Sequence, residues 1–114
     1  CSSDLVIDLT QLTVDQLLLE LGDSARLKEF ATSVLGRAMD YDRTRSTALL
    51  DTARVVIDSG LDRRTAAARL HLHHNTVAQR MRRLEDLTGL SVSRPADLVQ
   101  LTSALTVARI AALG

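Results

Sequence analysis

A chain of 114 residues with 46% apolar side chains and zero formal net charge is long enough for one compact domain with a helical extension. Only two aromatics, Phe30 and Tyr41, and a single cysteine, Cys1, exclude an aromatic core, an intrachain disulfide framework and a cysteine-based zinc finger. No apolar run approaches the ~18–20 residues that span a bilayer and no signal peptide is visible, so a cytoplasmic protein without membrane contact is expected.

The chain opens without methionine on Cys1-Ser2-Ser3-Asp4, and is read as a piece of a longer protein. Leu5–Leu9 is either the last strand of an upstream domain or a lead-in. Thr13-Val14-Asp15-Gln16 has capping-box form. Val14, Leu17, Leu18 and Leu21 follow at helical spacing up to Gly22. Asp23 is placed to cap a second helix through Leu27, Phe30, Ala31 and Val34. Gly36 and the polar run Asp40–Arg45 predict a break or an irregular turn.

The next helix is expected from near Ser46, burying Leu49, Leu50, Ala53, Val56 and Ile57 and stopping at Gly60. Asp62 then caps a short helix through Leu70. A second, longer helix follows the turn His71-Leu72-His73 and ends at Gly89. Ser93-Arg94-Pro95 opens a last helix, with proline tolerated in the first turn. Its Leu98, Leu101, Leu105, Ala108 and Ala112 form a seam running to the chain end. The predicted fold is all-α: a helix-turn-helix domain of about three to four helices over residues 46–114, preceded by two packing helices. Residues 1–45 are read as a helical segment or linker from an upstream domain.

Zero net charge hides a strong asymmetry. Residues 1–58 carry ten acids and six bases, whereas residues 59–84 carry one acid, Asp62, against six arginines. Screening confines each charge to roughly 8–10 Å, so the local excess matters more than the total. Arginine outnumbers lysine thirteen to one, a bias that fits a GC-rich bacterial genome.

That excess falls on Asp62–Gly89. Val77, Met81, Leu84 and Leu87 make one apolar stripe of the longer helix, and at ~100° per residue Asn75, Gln79 and Arg82 project from the other side. Small residues at Ala66–Ala68 suit the close crossing of two helices, and Leu70, Leu72 and Val77 are placed to seal the small core between them. His71 falls where the turn requires φ > 0, which histidine tolerates better than most. His73 falls at the following N-cap.

From Asn75 to Arg83 the helix rises ~12 Å at 1.5 Å per residue, comparable to the ~12 Å width of the DNA major groove. Asn75 and Gln79 can each pair bidentately with adenine, and His74 is read as a third contact on the same edge. Arg63, Arg64, Thr76, Arg80, Arg82 and Arg83 are the candidate phosphate contacts. Asp86 should end the useful face.

These residues also carry a resemblance. ALLDTARVVIDSG, then RRTAAARLHLHHNTVAQRMRRLEDLTGL and a Pro-Ala-Asp-Leu helix, resemble the C-terminal domain of PucR-type (sugar-diacid and purine-catabolism) bacterial transcriptional regulators over about residues 13–110. The resemblance implies a DNA-binding effector domain with sensing domains upstream. That family commonly has arginine and tyrosine after the Asn-Thr-hydrophobic triplet, where this chain has Ala78-Gln79.

The expected function is therefore sequence-specific binding of double-stranded DNA, as a homodimer, with no catalysis and no cofactor. No nucleophile–base pair stands out, and three histidines on one short turn are poorly disposed to share a metal ion. The alternative is a helical interaction module whose basic face meets an acidic protein partner.

Overall fold

The computed structural model describes residues 24–111. The predicted strand or lead-in at Leu5–Leu9, the capping box at Thr13 and the helix Val14–Leu21 lie outside the described residues, as do the Asp23 cap and Ala112. Among the described residues there are five helices and no strand: α1 (Ser24–Arg45), α2 (Leu49–Asp58), α3 (Arg63–Leu70), α4 (His74–Thr88) and α5 (Pro95–Ile110).

The break expected at Gly36 and Asp40–Arg45 does not occur; α1 runs through both for 22 residues. An internal glycine costs a helix only about 1 kcal/mol relative to alanine. Here Leu35 and Ala38, on either side of it, are both fully buried, and their burial outweighs that cost. Ala31, Val34, Leu35 and Ala38 form a continuous stripe that packs α1 on α5 and α4. The polar run is the last helical turns, with Arg43 and Arg45 near the carbonyl end where cations are favoured.

The chain turns instead at Ser46, whose φ is +54°. As a result α2 begins at Leu49 rather than near Ser46. Its N-cap residue Ala48 has no side chain to offer the first amides, and Asp42 of α1 serves in its place. The Asp42 Oδ1 accepts from the Leu49 N–H at 2.7 Å and the Thr47 hydroxyl at 2.6 Å, and Oδ2 accepts from the Leu50 N–H at 3.2 Å.

Helix α2 ends in a Schellman motif. Leu61 N–H donates to the Val56 carbonyl at 2.8 Å and Gly60 N–H to the Ile57 carbonyl at 3.1 Å, with Gly60 left-handed at φ +69°.

The core is aliphatic, as two aromatics require. Leu35, Leu49, Val56, Val77, Met81, Leu84 and Leu101 are almost fully buried, joined by the polar Thr52. In α5, Leu101, Leu105 and Ala108 of the predicted seam are buried and Leu98 is half-buried. Ala104, Thr106 and Val107 are buried as well, so α5 is enclosed on more than one stripe. The helix stops at Ile110 rather than running to the end.

Candidate nucleic-acid interface

The two helices of the basic segment are delimited by local chemistry. Asp62 caps α3: Oδ1 accepts from the N–H groups of Arg64 at 3.0 Å and Thr65 at 3.4 Å, and Oδ2 from the Thr65 hydroxyl at 2.8 Å. The bond from the Thr65 hydroxyl, then the two amides, hold the Asp62 carboxyl below its usual pKa.

At the other end of α3, His71 adopts φ +56°. It occupies the position glycine usually takes in a Schellman motif, with Leu72 N–H on the Ala67 carbonyl at 2.9 Å and His71 N–H on that of Ala68 at 3.3 Å. The predicted left-handed residue is thus the observed one. Ala66 and Ala67 are buried where α3 meets α4, while Ala68 is exposed and takes no part in the crossing.

His73 caps α4 by accepting the Asn75 N–H on Nδ1 at 3.1 Å. Its ring stacks on His74 with centroids 4.3 Å apart. Partial burial, then His73 and the Arg64 guanidinium, hold the His74 pKa below the usual histidine value. At the far end Gly89, at φ +72°, donates its N–H to the Glu85 carbonyl at 2.8 Å. The Glu85 carboxylate accepts from the Val92 N–H at 3.1 Å, and Asp97 from the Ser91 N–H at 3.0 Å. These bonds tie the α4–α5 connection to both helices.

Helix α4 therefore presents a defined outer surface. Val77, Met81 and Leu84 are buried behind it, and Asn75, Gln79, Arg82 and Asp86 stand exposed in line. Thr76, Arg80 and Arg83 form the flank facing α1 and α2. Arg80 is half-buried and donates from Nη1 to the Thr52 hydroxyl at 3.1 Å, which in turn donates to the Ala48 carbonyl at 2.6 Å. Arg83 lies over the Tyr41 ring, 5.5 Å from its centroid.

Of the nine candidate contact residues, Thr76, Gln79, Arg80, Arg82 and Arg83 line one groove together with Tyr41, Thr47, Leu49 and Asp86. Asn75 is exposed on the central line of α4 beside it. His74 and Arg64 sit on the opposite flank, toward α3, where Arg63 is also exposed. Tyr41, Thr47 and Arg45, whose guanidinium lies 5.3 Å from the Tyr41 centroid, are not among the residues expected from sequence. Their signal is a Tyr-to-Arg i, i+4 pair, visible only if Asp40–Arg45 is taken as helix. Among the described residues no group of three or more His, Cys, Asp or Glu side chains is placed to hold a metal ion, and no helix is long and apolar enough to cross a membrane.

The PucR C-terminal helix-turn-helix domain matches this chain over residues 49–107, from the start of α2 into α5. The chain is 33% identical over 94 residues to the uncharacterized protein YsfB of Bacillus subtilis (strain 168), covering 82% of this chain and 24% of that protein. It is 31% identical over 93 residues to the purine catabolism regulatory protein of the same organism, covering 82% and 17%. An uncharacterized protein of Mycobacterium tuberculosis (strain ATCC 25618 / H37Rv) is 30% identical over 90 residues, covering 79% and 21%. The chain thus spans about a quarter or less of the length of these relatives. No solved structure matches it.

Proposed function

Because this chain belongs to the PucR C-terminal helix-turn-helix family, we propose that it is the sequence-specific, double-stranded-DNA-binding effector domain of a bacterial transcriptional regulator. Helix α4 enters the major groove. His74, Asn75 and Gln79 meet base edges, while Arg63, Arg64, Thr76, Arg80, Arg82 and Arg83 hold phosphates.

The observation that carries this reading is the outer face of α4. An amide pair one turn apart is exposed and flanked by arginines, on a helix whose back is locked into the core by Val77, Met81 and Leu84. A rigid back matters because base contacts discriminate only if the helix cannot shift to suit each sequence. The bond from Arg80 to Thr52 supports a phosphate role, since it holds that guanidinium at the rim of the groove before DNA arrives.

The whole regulator acts as a homodimer on half-sites about 34 Å apart. Its sensing domains occupy a part of the polypeptide that the greater length of the relatives accommodates. It works in the cytoplasm, without catalysis of its own.

The test is the affinity of the protein for a mixed-sequence DNA duplex, measured across a salt series. Affinity should fall steeply with salt, and Arg83→Gln should flatten the logarithmic slope by about one. Absence of salt-sensitive affinity for any duplex overturns the reading and favours a basic face that meets an acidic protein.

A further inference from the structure

The groove beside α4 has a second wall, made by Tyr41 of α1 with Thr47 and Leu49 at the start of α2. The exposed Arg45 lies next to that wall, in a neighbouring depression that Tyr41 also lines. Tyr41 holds two guanidinium groups over its ring, Arg45 of its own helix at 5.3 Å and Arg83 of α4 at 5.5 Å. Both lie within the ~6 Å at which a ring quadrupole attracts a cation.

The two acids that flank Tyr41 in sequence are already engaged. Asp40 is ion-paired with Arg43, and Asp42 accepts from Thr47 and the first amides of α2. Asp86 lies farther along the groove, one turn beyond Arg83. Among the described residues no ion pair joins Arg45 to a carboxylate. Two like charges held against one aromatic ring repel each other, and phosphates placed beside them would relieve that repulsion.

We propose that Arg45, positioned by Tyr41, is a DNA-backbone contact outside the helix-turn-helix, gripping the same strand as Arg83. This inference rests on the DNA-binding reading above. With α4 in the major groove, its Thr76–Arg80–Arg83 flank faces one of the two bordering backbones. Tyr41 and Arg45 stand on that side, so they meet phosphate rather than base. Arg83 and Arg45 then serve neighbouring phosphates of one strand. The contact is blind to sequence and adds only grip and register. It also makes α1 part of the binding surface, although residues 1–58 are acidic in total.

The experiment compares salt slopes for wild type, Arg83→Gln, Arg45→Gln and a control, Lys28→Gln, on a mixed-sequence duplex. Lys28 lies ~25 Å along α1 from Arg45 at 1.5 Å per residue, well beyond the ~8–10 Å reach of an exposed charge. Arg45→Gln should flatten the slope by about one and weaken binding to all sequences alike. Lys28→Gln should change neither, and Arg45→Lys should restore most of the slope.

If Arg83→Gln flattens the slope and Arg45→Gln does not, the added contact is wrong and the DNA-binding reading stands. The added contact is equally wrong if Arg45→Gln lowers only the melting temperature, because Arg45 would then merely stabilise the end of α1. If wild type shows no salt-sensitive binding, both ideas fail together.

Discussion

Replacing Asp42 with alanine removes the acceptor that serves the first amides of α2, and the consequence can be sized from the bonds present. Two backbone N–H groups, of Leu49 and Leu50, and the Thr47 hydroxyl converge on that carboxylate at 2.7, 3.2 and 2.6 Å. Loss of a helix cap costs about 0.5–2 kcal/mol, and the hydroxyl bond adds about 0.5–1.5 kcal/mol. Because Ala48 offers no substitute, the total should fall at about 2–3 kcal/mol. Against a typical total stability of about 5–15 kcal/mol that is a large fraction. It corresponds to a fall in Tm of roughly 10–20 °C for a domain of this size. Urea unfolding followed by circular dichroism reads it directly, with an unchanged m-value. Asp42→Asn, which keeps an acceptor oxygen but no charge, should lose about half as much, on the order of 1 kcal/mol. An Asp42→Ala protein within about 0.5 kcal/mol of wild type would refute the claim that α1 caps α2.

Two other consequences concern the turn and its histidines. His71→Gly relieves a left-handed backbone that costs an L-residue about 1–2 kcal/mol, partly offset by the greater freedom of unfolded glycine. The variant should melt at or above the wild-type temperature, and a loss beyond about 1 kcal/mol would mean that the imidazole itself supports the turn. The pKa of His74 is depressed by partial burial, by His73 and by Arg64. The unfolded chain therefore takes up that proton first as pH falls. The His74 contribution is fully present above about pH 6.5 and lost as pH drops through the window below it, toward the lowered folded value. The urea midpoint should be lower at about pH 5.5 than at about pH 8, and His74→Gln should reduce the difference. An equal or higher midpoint at the acid pH contradicts this.

What can be read from sequence, and what cannot, follows from the range of the forces involved. The boundaries of α3 and α4 depend on residues within a turn of each end: Asp62, His71, His73 and Gly89. All four act as their chemistry indicates. The buried stripe of α4 is equally local, because helical period alone decides which residues face inward. Helix α1 escapes such a reading because Gly36 and the polar run are local signals to stop. The forces that carry the helix onward are the burial of Leu35 and Ala38 against α5 and α4, which no local pattern contains.

The candidate site divides in the same way. Asn75, Gln79 and Arg82 are legible as a helix face. Tyr41 and Arg45 are not, because summing charge along the chain counts Asp40 and Asp42 against their neighbours. In three dimensions those acids are taken by Arg43 and by the start of α2. The tether of Arg80 to Thr52 joins residues 28 apart, a separation at which sequence pattern carries no signal.

The most direct test of base reading by α4 is selection from a random duplex pool by wild type and Gln79→Ala side by side. Gln79 is exposed on the outer line of α4 and lines the groove with Thr76 and Arg82. Both proteins should enrich a common site, with the variant losing preference at one position. That loss should be about 1–3 kcal/mol, with the salt slope unchanged. Identical preferences at every position, or no enrichment by wild type, would contradict it.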